Sequence, residues 1–129
     1  MAYDVHAADG IRVLLSGKPG VVERKMMGGL VFLLNGNMCL SASGRGGILV
    51  RVGPAAQDRL LKGAHVKQVV MGGRTMTGFV RVMPDGYRSS AALKKWVERA
   101  VDFVATLPAK AAKRSKPAAA RGRPGIGRT

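Results

Sequence analysis

The sequence predicts one α+β domain, with helices packed on a mainly antiparallel sheet, followed by a basic tail. Three observations carry that expectation. Apolar residues recur at helical spacing over residues 4–16 and again over 89–107. Between these stretches, short apolar runs alternate with Gly, Asn and Pro, the punctuation of strands joined by tight turns. After Pro108 the hydrophobic pattern stops, and Ala, Lys, Arg, Gly and Pro dominate to the end. The 129 residues are 47% hydrophobic but only 5% aromatic, so the chain has material for one core, built chiefly from aliphatic side chains and methionine.

Taken in order, Ala8, Ile11, Leu14 and Leu15 form the stripe of a short amphipathic helix between Asp4 and Ser16, which Gly17-Lys18-Pro19-Gly20 ends. Val21-Val22, Leu30–Leu34, Met38–Leu40 and Ile48–Val52 then read as a meander of three or four strands. Gly28-Gly29 marks a bend or bulge, and Asn35-Gly36 a hairpin turn, since both residues tolerate positive φ. Met38, Leu40 and Ala42 alternate with Cys39, Ser41 and Ser43, and Ile48, Val50 and Val52 with Leu49 and Arg51, so one face of the sheet is expected to be covered. Gly53-Pro54 opens a helix running to about Lys62, with Pro where a missing N–H does no harm. His65–Met71 and Gly78–Met83 read as two further strands around Gly72-Gly73-Arg74, and Pro84-Asp85-Gly86 as a turn. Ser89 or Ser90 caps the last helix, whose apolar face is Leu93, Trp96, Val97, Ala100, Val104 and Leu107. The expected organisation is a domain over 1–108 and a disordered basic tail over 109–129.

The formal net charge is +15. Residues 110–129 hold seven of the 22 basic side chains and none of the seven acids. Such a field attracts polyanions, so nucleic acid, DNA first, is the expected partner of the tail; acidic proteins and anionic lipid are the competing classes. No run approaches the roughly 18 apolar residues of a spanning helix, and no membrane partner is expected. One cysteine rules out a disulfide within the chain, which fits a cytoplasmic setting, including association with the nucleoid.

Catalysis finds little material. His6, His65, Cys39 and seven scattered carboxylates show neither a Cys/His pair nor metal-ligand spacing, and Ser41 and Ser43 lack a Gly-x-Ser-x-Gly context. Gly17–Gly20 and Gly44–Gly47 lack the ending of a phosphate-binding loop and read as turns. No catalytic residue, metal or cofactor is therefore expected. Cys39 and Trp96 read as core residues, and Arg24-Lys25 and Lys94-Lys95 as solvated faces. Arg51 and Arg81, both in strands, are expected to share the open sheet face with Arg74 nearby as a basic strip.

Several stretches occur together and in a familiar order: Met1–Asp4, Pro19-Gly20-Val21, Lys25–Phe32, Asn35–Met38, Val50–Pro54, Gly78-Phe79-Val80 and Leu93–Val97. In these the chain resembles the TfoX N-terminal domain family, the domain of TfoX/Sxy-type competence regulators, over roughly residues 1–108. The family pattern usually has Phe where Met27 stands here. The resemblance implies an α-β(3)-α-β(2)-α fold of the secretion-chaperone-like kind and a regulatory or interaction role, with no catalytic residues to carry over. The two-domain competence regulators continue into a helical C-terminal domain, whereas a basic tail occupies that place here. Competence regulation itself is therefore not implied.

Arg121-Gly122-Arg123-Pro124 in turn resembles the core of AT-hook motifs, which order in the minor groove of A·T-rich DNA. Gly122 has no Cβ to strike the groove floor, two arginines can extend along it, and Pro124 keeps the chain extended. Lys110, Lys113, Arg114, Lys116 and Arg128 would grip phosphates. The same four residues also arise from compositional bias alone, and plain charge suffices for nonspecific binding. Two readings stand. One is a non-enzymatic, DNA-associated regulatory protein with a protein partner in transcription regulation, or a second copy of itself. The other is a protein-interaction module with no specific nucleic-acid role.

Overall fold

A computed structural model of the chain describes residues 3–26 and 28–109. Helix α1, Val5–Leu15, starts where the Asp4 carboxylate accepts a hydrogen bond from the Ala7 N–H at 3.0 Å, and it buries Ala7, Ala8, Ile11 and Leu15 along one face. The long helix α3, Ser90–Val104, is capped in the same way by Ser89, whose Oγ accepts from the Ala92 N–H at 3.1 Å. Its buried stripe is Leu93, Trp96, Val97, Ala100 and Val104. These two apolar faces meet each other and one face of a six-stranded sheet.

The strands are β1 (Val21–Met26), β2 (Gly29–Leu34), β3 (Asn37–Ala42), β4 (Ile48–Arg51), β5 (Val66–Met71) and β6 (Arg74–Val82). They lie in the order β1-β2-β3-β4-β6-β5, every neighbouring pair antiparallel. Helix α2, Pro54–Leu61, links β4 to β5, and the β5–β6 hairpin joins the meander through β6. The expected α+β class and antiparallel sheet are thus present. The meander has four strands, one more than the resemblance implies, because Val21–Met26 pairs along its whole length with β2. Asn35 and Gly36, at φ 54° and 82°, turn β2 into β3 as a two-residue hairpin requires.

The helix-side core gathers Ile11, Phe32, Leu40, Ile48, Val50, Val80, Val82 and Val104, all at 0–1% exposure. Tyr87 and Trp96 close it at one end. Trp96 Nε1–H donates to the Gly86 carbonyl at 3.1 Å, so the indole is anchored in the core as expected.

Several details depart from the sequence reading, among them Leu14, which the apolar spacing places on the stripe of α1 but which is 37% exposed. Strand β6 begins at Arg74 rather than Gly78, so Gly72-Gly73 is a tight hairpin tip. Gly28-Gly29 is part of the β1–β2 hairpin turn, with Met26 paired to Gly29. Helix α3 stops at Val104, and Leu107 packs on the core from the turn beyond it. Finally, the strict alternation expected of Met38, Leu40 and Ala42 fails. Phe32 pairs with Leu40 but Leu33 with Met38, so Cys39 is the extra residue of a bulge and Met38 moves to the opposite face.

Candidate docking face

The sheet's other face is only partly covered, and its cover comes from the sheet itself. The register of β5 against β6 shifts between Gln68 and Val70. Nearby, Gly78 adopts φ 89°, a conformation that suits glycine and re-aims the strand. Gly78 is held on both sides: its carbonyl accepts from the N–H groups of Val52 and Gly53 at 2.9 and 3.0 Å, while its own N–H donates to the buried Gln57 Oε1 at 2.8 Å. Beyond this joint, Met71 and Met76 of the hairpin pack with Met38 against a second small core of Leu49, Val69 and Phe79.

Pairing across the strands sets one continuous row on this face: Arg24 (β1), Val31 (β2), Ser41 (β3), Leu49 (β4), Arg81 (β6) and Lys67 (β5). Cations stand towards both edges and apolar or small groups in the middle. A cleft of about 220 Å³ opens over the middle, rimmed by Met26, Met71 and Arg45 and floored by Val31, Ser41 and Leu49. Met26 and Val22, on the same face of β1, are 41% and 50% exposed.

Arg51 and Arg81 do share this face, and both guanidinium groups make bonds within the fold. Arg81 Nη1 donates to Ser43 Oγ and to the Gly46 carbonyl, each at 2.8 Å, which ties β6 to the β3–β4 turn. Burial, with Arg45 close by, lowers the Arg81 pKa from its ordinary value. Arg51 donates to the Met38 carbonyl at 3.3 Å and lies over the rings of Phe79 and Phe103, 5.4 and 5.9 Å from their centroids. Arg74 stands exposed at the hairpin tip. The expected tail residues Lys110, Lys113, Arg114, Lys116, Arg121, Gly122, Arg123, Pro124 and Arg128 lie outside the described residues.

Sequence reasoning missed Arg24, Arg45, Lys67, Met26 and Met71 as members of this face. Arg24 and Lys25 are both exposed, as expected, but the pleat divides them: Arg24 opposes Val31 on the open face, and Lys25 opposes Leu30 on the helix side. The alternation Val22-x-Arg24-x-Met26 is the signal that marks the row.

A second, larger cleft of about 590 Å³ opens beside the starts of α1 and α3, lined by Asp4, His6, Tyr87, Arg88 and Ser89 among others. Several of its polar groups are engaged within the fold. The Tyr87 hydroxyl donates to Asp4 Oδ2 at 2.9 Å, and Arg88 pairs with Asp85. Cys39 is 1% exposed, and burial pushes its thiol up to about 12. Ser43 is occupied as an acceptor from Arg81 and from the Arg45 N–H. Among the described residues no three His, Cys, Asp or Glu side chains group as a metal site, and no helix is long and apolar enough to cross a membrane.

Comparison with curated proteins and with solved structures finds no match. The family model of the TfoX N-terminal domain matches residues 13–104, which takes in the strands, α2, α3 and the C-terminal end of α1. The chain belongs to the TfoX N-terminal domain family.

Proposed function

We propose that this protein is a non-enzymatic regulator in which the domain over 1–108 docks a protein partner and the basic tail over 109–129 binds nucleic acid. Membership of a family that suggests regulation, and is not a known enzyme family, supports the first part. The single observation that carries the second is the charge of residues 110–129, seven cations without an acid. Within that tail, Arg121-Gly122-Arg123-Pro124 is the element proposed to enter A·T-rich minor grooves, with Lys110, Lys113, Arg114, Lys116 and Arg128 on phosphates. The setting is the cytoplasm, at the nucleoid. A second copy of the chain raises the strength of a single hook through linkage.

Titrating A·T-rich DNA, G·C-rich DNA and RNA duplexes against the full chain and a version ending at Pro108 tests this. Loss of binding on truncation, with A·T preference in the full chain, is the expected result. Equal loss on all three polymers removes the hook and leaves plain charge. Undiminished binding after truncation sinks the tail's role altogether. The second reading, an interaction module without a nucleic-acid role, is favoured by the apolar centre of the open sheet face and predicts no measurable affinity for any duplex at physiological salt.

A further inference from the structure

The chemistry of the docking partner is legible on the open face. All seven acidic side chains lie elsewhere: Asp4 and Asp9 at α1, Asp58 on α2, Asp85 in the turn before α3, Glu98 and Asp102 on α3, and Glu23 on the helix side of β1, bonded to Arg12 at 2.6 and 2.9 Å. The opposite face therefore carries Arg24, Arg45, Arg51, Lys67 and Arg81 with no carboxylate among them, and none of the ion pairs between described residues falls there. Between the cations lies a mainly apolar cleft rimmed by Met26 and Met71, with Ser41 and Ser43 also in its lining. Methionine adapts its three torsions to varied apolar shapes, a property suited to receiving side chains.

We propose that this face docks an acidic polypeptide segment whose apolar side chains enter the methionine-rimmed cleft while flanking carboxylates meet Arg24, Arg45 and Lys67. The proposal rests on the docking half of the function given above and names its partner's chemistry. Charge complementarity selects the sign of the partner, and the apolar floor of Val31 and Leu49 selects a polypeptide over a phosphate polymer. A nucleic acid would use exposed aromatic stacking platforms, whereas Phe79, the ring of the second core on this face, is buried at 8% exposure.

The test uses the full chain carrying ¹³C-methyl methionine, titrated with a short synthetic peptide of alternating Glu and Leu. The methyl resonances of Met26 and Met71 should shift, whereas that of Met83, which does not line the cleft, should stay. Replacing Leu by Ser in the peptide, or Glu by Lys, should abolish the shifts. Arg45→Glu should weaken binding by about tenfold or more, while Lys94→Glu, the same charge change on the exposed side of α3, leaves it unaltered. Peptide capture that leaves the methionine methyls unmoved would place it on the tail and overturn the proposal. So would an A·T-rich duplex that shifts Met26 and Met71 as the peptide should, or shifts that grow with protein concentration alone, the mark of a second copy on this face. A tail that binds DNA beside a face that ignores the peptide would refute this inference and leave the nucleic-acid reading intact.

Discussion

Asp4 uses its two oxygens in two places: one accepts from the Ala7 N–H at the start of α1, and the other accepts from the Tyr87 hydroxyl, 83 positions along the chain. Burial pushes the carboxyl up, but these hydrogen bonds outweigh it and hold the folded pKa below the ordinary aspartate value. The linkage has a definite sign. A depressed carboxylate adds stability at pH above its unfolded value, and that stability is lost as pH falls through the folded one. Glu23, lowered by its bonds from Arg12, acts in the same direction. Thermal melts of Asp4→Asn should thus show a shallower loss of stability on acidification than the parent, while Asp4→Ala should cost about 1 kcal/mol at neutral pH through the lost cap. Parallel acid limbs for parent and Asp4→Asn would refute the assignment. Cys39 offers a second residue-scale prediction. Buried, with its thiol pushed up to about 12, it should react with a thiol reagent at neutral pH only as fast as the domain unfolds. Rapid labelling in native buffer would contradict the packing. The Ser89 cap and the burial of Cys39 and Trp96 could be read from neighbouring residues. The Asp4–Tyr87 bond could not, because only the tertiary fold brings the two together.

Helices α1 and α3 were legible at the scale of the element because their apolar stripes are local in sequence: Ile11 and Leu15 in α1, and Leu93, Trp96, Val97, Ala100 and Val104 in α3. The strands were legible in number and order more than in extent. Arg74-Thr75-Met76-Thr77 lacks a helix-side apolar residue, so the first half of β6 carries no core signal although its backbone pairs with β5. The bulge at Cys39 likewise depends on the register of a partner strand, which no single stretch encodes. The joint at Gly78 is the element-scale feature most open to test. Its N–H is buried and has Gln57 Oε1 as acceptor, so Gln57→Leu should destabilise by about 1–3 kcal/mol, the usual cost of orphaning a buried donor. Urea unfolding should show a lower midpoint at unchanged slope. A midpoint within error of the parent would mean that the hairpin does not depend on that bond.

Charge is the property that organises the whole molecule. Every acid lies on the helices, at the turns before them or on the helix side of β1, the open sheet face holds cations around an apolar centre, and residues 110–129 add seven more cations. The basic balance was plain in the sequence, and Arg51 and Arg81 could be placed in neighbouring apolar strands, although they stand at different register positions, opposite Phe79 and Leu49. The cleft beside them was hidden, because it forms only when the β5–β6 hairpin turns Met71 back over Leu49. This segregation separates two electrostatic jobs that a salt titration can tell apart. Contacts from the tail to duplex DNA release counterions, and seven contacts at about −0.9 each give an upper bound near −6 for the slope of log K against log salt. Truncation at Pro108 should remove most of that slope together with the affinity. Arg123→Ala should lower the slope by about one and, if the groove is entered, cost more on A·T-rich than on G·C-rich duplexes. Peptide binding on the sheet face draws on apolar burial as well as charge and should therefore depend less on salt than duplex binding does. Equal salt slopes for peptide and duplex would show that both ligands answer to the same diffuse charge, and the separation of face from tail would fail.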